Sequence, residues 1–298
     1  MAQTELFELA EQLLAACIRG SGTSAALDAL LAKAERCAPI DAGGAVSQLE
    51  LPTHARRRID AVNICDAHGT TPLLACCKHG LFHTASRLLE AGADINCQAA
   101  PSGNTPLHLA CMHGHLALIP LLVRAGADLN CRNVRGGTPL LFACWAGHLG
   151  VAVRLMHKDR ADVSLAQHDG LTPLMAAASS GHHHVVKAVL GGMQQQDQQQ
   201  DQQQDQQQQG DTQQLGPALQ GASEPLTKQR PGPPAAMACD AQGSTALHYA
   251  ARAGHLACVQ LLLDAGLSPL TRNKAGRSPM VEARLAGSKE CTTAMQPW

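Results

Sequence analysis

Residues 103–130 read Gly103-Asn-Thr-Pro-Leu-His-Leu-Ala-Cys-Met-His-Gly-His-Leu-Ala-Leu-Ile-Pro-Leu-Leu-Val-Arg-Ala-Gly-Ala-Asp-Leu-Asn130, and at 136–140 the chain returns to Gly136-Gly-Thr-Pro-Leu140. This stretch predicts helix, turn, helix and hairpin. Thr105 is an N-cap residue, and Pro106 at the first helical position loses only a donor that would have no intrahelical partner. Leu107, Ala110 and Cys111 fall at i, i+3 and i+4, a narrow stripe of small apolar residues that admits a neighbouring helix. Gly114 is a left-handed C-cap. The second helix is expected to turn Leu116, Ile119, Leu122 and Val123 inward and to end at Gly126. Neither helix can bury its stripe alone.

The register recurs along the chain. Thr-Pro or a near equivalent stands at Thr71, Thr105, Thr138, Thr172, Thr245 and Ser278, with spacings of 34, 33, 34, 73 and 33. The Gly closing the first helix keeps step at Gly80, Gly114, Gly147, Gly181, Gly254 and Gly287. This period and the Thr-Pro-Leu-His-Leu-Ala string at 105–110 resemble the ankyrin repeat over residues 60–193 and 238–287. The resemblance implies an all-α solenoid of five to six helix-turn-helix-hairpin repeats, which binds other proteins and needs no catalytic centre.

Composition narrows the alternatives. Hydrophobic residues make up 45% of the 298, but aromatics only 2%, which suits thin helical layers better than a large cofactor pocket. No cofactor or metal is expected. The net charge of −1 leaves no electrostatic footprint for nucleic acid. No apolar run approaches the roughly 18 residues of a membrane span, and the acidic start (residues 1–11) is unlike basic signal and transit peptides. Cytoplasm or nucleus is the expected compartment, and the chain alone is expected to be monomeric. Of the 12 cysteines, Cys77, Cys111 and Cys144 share one slot of successive repeats. Packed helices lie roughly 8–10 Å apart, too far for a disulfide or for convergent zinc ligands. These cysteines are read as small buried hydrophobes, kept reduced.

Residues 1–37 carry Leu6, Leu9, Leu13, Leu14, Cys17, Leu27, Leu30 and Leu31 at helical spacing without a Thr-Pro start. With Gly22 in the inter-helix slot they form a degenerate capping repeat; a separate helical hairpin is the alternative. Residues 38–59 read as a loop ending in Arg56-Arg57-Arg58. Residues 60–193 hold four repeats. Pro120 is tolerable within them if its helix starts near Ala117, and the third repeat should close less regularly because Asp159 stands where the others have Gly. The pattern breaks after Gly191-Gly192, and 194–236 is a Gln, Pro and Gly-rich insertion with almost nothing apolar to bury, expected to be disordered. Its Asp197, Asp201, Asp205 and Asp211 would compete with an acidic partner. Residues 237–298 hold a fifth repeat and a partial capping repeat from Ser278, for which no complete second helix is expected.

The candidate chemistry is weak. His115, His148, His182 and His255 follow the inter-helix Gly, which suits turn residues bonding backbone. In His182-His183-His184 consecutive residues on a helix diverge by about 100°, which opposes a metal site. His108 and His248 stand in a slot that is Leu74, Leu141, Met175 and Val281 elsewhere, so they are packing positions. Cys77-Lys78-His79 places a thiol near an imidazole, but with the Cys inward and the His outward.

What remains is a surface. The resemblance places the residues before each helix-ending Gly, and those at the hairpin tips, on the concave face where the family binds proteins. Candidate partner-binding residues are therefore His68, Lys78, His79, Met112, His113, Arg135, Trp145, His168 and Arg252. The set favours an acidic partner segment. Trp145 is either an interface anchor or packed sideways on the next repeat. Two further readings stay open: an adaptor or regulatory subunit of an enzyme complex, and a substrate. The runs ending at Asn96 and Asn130 look like ankyrin-repeat sites of asparaginyl hydroxylases.

Overall fold

A computed structural model describes residues 2–20, 27–29, 32, 62–194 and 235–296. Gly22, Leu30, Leu31, the loop at 38–59 with Arg56-Arg57-Arg58, and the insertion at 195–234 with its four aspartates lie outside the described residues, as do the side chains of Leu6 and Leu9. The chain forms two compact units, Met1–Ala161 and Asp162–Trp298.

The first unit contains α1 (Ala2–Ile18), α2 (Pro72–His79), α3 (Phe82–Glu90), α4 (Pro106–Met112), α5 (Leu118–Arg124), α6 (Pro139–Ala146) and α7 (Leu149–His157). The second contains α8 (Pro173–Ser179), α9 (183–194), α10 (Ala246–Ala253), α11 (Leu256–Asp264), α12 (Pro279–Leu285) and α13 (Lys289–Met295). Within a unit each first helix packs on the first helix of the next repeat: α1 on α2, α2 on α4 and α4 on α6, then α8 on α10 and α10 on α12.

The helix starts follow from the Thr-Pro pair. Thr71 Oγ1 accepts the Leu74 N–H, Thr138 the Leu141 N–H and Thr172 the Met175 N–H, each at 3.3 Å, with Pro at N1. Where the third helical residue is His, its ring joins the cap: the Thr105 N–H donates to His108 Nδ1 at 3.2 Å and the Thr245 N–H to His248 Nδ1 at 3.1 Å. With Nδ1 accepting, Nε2 carries the proton, and it donates to Gly137 O (2.8 Å) and Arg277 O (3.1 Å) of the following hairpin. Burial holds both imidazoles below the ordinary histidine range. Behind them Leu107, Ala110, Cys111, Ile119 and Leu122 are fully buried.

The inter-helix Gly permits a second tie. Gly114 has φ 74°, and a Cβ there would meet His148 Nδ1 at 2.5 Å; the ring takes that space and Nε2 donates to Met112 O at 3.1 Å. His115 reaches Lys78 O in the same way (3.0 Å), and in the second unit His255 reaches Ser179 O (3.2 Å). In His115, His148 and His255 the His-after-Gly is thus a tie to the preceding repeat rather than to its own turn.

Several expectations need correction. Leu116 is 47% exposed, because α5 starts only at Leu118 with Ala117 as N-cap; Leu118 is buried in its place and Pro120 falls in the first turn. In the N-terminal region Gly20 takes the left-handed conformation (φ 71°) and donates to Cys17 O, as Gly114 does to Cys111 O. Gly20 therefore fills the slot assigned to Gly22. The third repeat does close less regularly, as expected, through an extra residue: Ala161 N–H reaches back six positions to Leu155 O, against five from Ala127 to Leu122. Arg160, not Asp159, takes the left-handed position at φ 59°, and Asp159 pairs with Arg154 at 3.3 Å. Gly191-Gly192 does not stop α9, which runs through to 194 with Met193 buried. The last repeat does have a second helix, α13, anchored by fully buried Cys291 and Met295.

Candidate protein-binding face

The hairpin tips are built by one side chain each. Asp66 Oδ1 accepts the N–H groups of His68 and Thr70 (both 2.8 Å), and Asn133 Oδ1 those of Arg135 (3.0 Å) and Gly137 (2.8 Å). His68 and Arg135 project from these turns, both exposed. The ends of the first helices supply the rest of the first unit's set: Lys78 and His79 exposed on α2, Met112 half-buried and His113 exposed at the end of α4, and Trp145 on α6. Trp145 is 52% exposed.

His113 is the point where these helices converge electrostatically. Partial burial lowers its pKa first, and His115, Lys78, His79 and His148 then act in the same direction. Among the described residues, no carboxylate is among the groups acting on it. The rings of His113 and His115 stack at 6.1 Å between centroids.

His168 and Arg252 lie in the second unit. His168 is exposed on the turn before α8. Arg252 is partly engaged, its guanidinium 4.9 Å over the Tyr249 ring, while Tyr249 OH donates to Asp240 Oδ2 at 2.7 Å. Burial and that carboxylate push the Tyr249 hydroxyl up to about 12.

Sequence reasoning missed Ile18 and Arg19. They precede Gly20 as Lys78 and His79 precede Gly80, and both are exposed. The three-residue spacing from Cys17 to Gly20, equal to that from Cys111 to Gly114, was the available signal. Val134, 64% exposed beside Arg135, was also missed.

The thiols are poorly placed for chemistry. Cys77 is fully buried, which drives its pKa far upward, while His79 is outside. Cys131 lies 3.6 Å from His108 Nδ1, but burial raises the thiol and lowers the imidazole, the reverse of an activated pair. Among the described residues every cysteine is a free thiol. The spacing argument for Cys77, Cys111 and Cys144 does not extend to Cys17 and Cys76, which stand in different slots with sulfurs 3.6 Å apart. No group of three metal-ligating side chains occurs among the described residues, and none of the described helices is long and apolar enough to cross a membrane.

Asn96 and Asn130 are exposed in the connections after α3 and α5. Asn96 Oδ1 accepts the Asp128 N–H at 3.2 Å, and Asp128 Oδ1 accepts the Asn130 N–H at 2.9 Å.

Compared with curated proteins, the chain matches none. A family model for ankyrin repeats (three copies) matches residues 10–133, 73–167, 118–202 and 220–295. With the recurrent Thr-Pro caps and Gly turns, these matches make the chain a member of the ankyrin-repeat family.

Proposed function

We propose that the chain is a non-catalytic recognition module whose first unit docks an acidic segment of a partner protein. Ankyrin repeats are protein-interaction modules, and the observation that favours this face is Trp145, 52% exposed and within the row of helix ends that carries Lys78, His79, Met112 and His113. A half-exposed Trp supplies an anchor, and the cations at the other helix ends of the unit supply attraction for carboxylates. An adaptor within an enzyme complex would use the same face. The test is a salt-graded pull-down with the intact protein and with Trp145→Ala. A partner retained by the parent and lost by the variant, and released by rising salt, supports the reading; equal retention refutes it.

A second reading, modification at Asn96 and Asn130, draws on their exposure. Intact-mass and peptide spectrometry of native protein would show one added oxygen at either residue, and an unmodified pair would remove it.

A further inference from the structure

The groups around His113 share one sign. It faces Lys78 and His79 from α2, His115 from the turn after α4, and His148 from the turn after α6. His115 and His148 are held in place by their Nε2 bonds to Lys78 O and Met112 O. His113 is itself exposed, at the C-cap of α4, where its backbone N–H closes the helix and its ring stacks on His115. Arg19 extends the row, because Gly20 packs against the His79 ring at 3.2 Å from where a Cβ would stand.

We propose that this face takes up a proton at His113 when an acidic segment docks, so that docking tightens as the pH falls below neutral. The inference rests on the acidic-partner reading above and adds its regulation.

The sign follows from linkage. In the free protein burial and four like-signed neighbours favour neutral His113. A carboxylate arriving over the same ring stabilises the imidazolium and raises its pKa. The bound state then holds more protons than the free state between the two pKa values, and affinity rises as pH falls through that window. Above the bound-state pKa the gain is absent; below the free-state pKa it is complete. Each unit by which docking raises the pKa contributes at most about tenfold in affinity. The partner's carboxylates stay ionised down to about pH 5, so the dependence belongs to the imidazoles of this face, and His113→Gln isolates the share of His113.

The probe is a fluorescein-labelled peptide of Glu and Leu with one central Trp. Its anisotropy is followed with the full chain at low ionic strength, from about pH 8 to pH 6. The expected result is affinity rising about tenfold toward pH 6, a flattened profile for His113→Gln, and weaker binding at every pH for Lys78→Gln, with its rise displaced because Lys78 acts on His113. His113 ring C–H resonances, titrated with and without peptide, should move to a higher midpoint in the complex. Binding that is unchanged between the two pH values, or a His113→Gln profile matching the parent, overturns proton uptake and leaves the acidic dock standing. No binding at either pH overturns both. Circular dichroism of His113→Gln identical to the parent excludes a folding defect as the source of the flattened profile.

Discussion

Gly114→Ala should destabilise the first unit by about 2–3 kcal/mol. Two terms make up the figure. A left-handed backbone, here φ 74°, disfavours an L side chain by about 1–2 kcal/mol. The new methyl would also lie 2.5 Å from His148 Nδ1, 2.6 Å from its Cε1 and 2.8 Å from its Cγ, so the ring must leave. Its hydrogen bond to Met112 O is lost with it, about 1 kcal/mol. Gly126→Ala is the matched control: φ is 90°, but nothing stands within 4 Å of the added methyl among the described atoms, so only the backbone term applies. Urea unfolding gives the totals, and hydrogen exchange by mass spectrometry on peptides from α4 and α6 locates them. A double-mutant cycle separates the terms: His148→Ala should lower stability by about 1 kcal/mol in the parent and by almost nothing beside Gly114→Ala. Equal losses at Gly114 and Gly126, or additive losses in the cycle, would refute the ring-over-glycine account.

Arg160→Gly should stabilise by about 1 kcal/mol, because Arg160 holds φ 59° without needing its side chain there; a lower thermal midpoint would contradict this. Trp145→Ala should change unfolding free energy by less than about 0.5 kcal/mol while removing partner binding, as suits a half-exposed anchor. His108 and His248 have depressed folded pKa values, so stability is full above the unfolded value of about 6.5 and falls as pH drops through it. His108→Leu should flatten that acid slope in urea midpoints measured between about pH 7 and pH 5. A native thiol reagent should label exposed Cys65 and Cys239 at once and Cys77, Cys111 and Cys144 only with denaturant; prompt labelling of the latter would deny their burial.

The repeat was legible because its boundaries are local chemistry: Thr-Pro fixes a start and the inter-helix Gly fixes a stop, whatever surrounds them. Pro120 was legible for the same reason. The failures came where a neighbour decides. No Thr-Pro marks the N-terminal repeat, so only the Cys17–Gly20 spacing pointed to Gly20, and its contact with His79 decides the slot. Gly191-Gly192 continues as helix because Val189 and Met193, four apart, both reach the core. In α13 a polar string conceals Cys291 and Met295, four residues apart and fully buried. For the candidate face, residue identities were readable, but the gathering of Lys78, His79, His115 and His148 on His113 depends on which helix ends lie side by side, and no single repeat contains that information.

The histidine ties have one more consequence. Their acceptors are the main-chain oxygens of Lys78 and Met112 in one unit and of Ser179 in the other, and each of these residues stands two before its Gly. The same residue therefore anchors the architecture with its carbonyl, while its side chain takes no part in the tie. Cation, thioether and hydroxyl all serve equally, because the tie never consults them. Structure is written in the backbone and vocabulary in the side chains, so the face can be respelled one position at a time while the scaffold stays unaware.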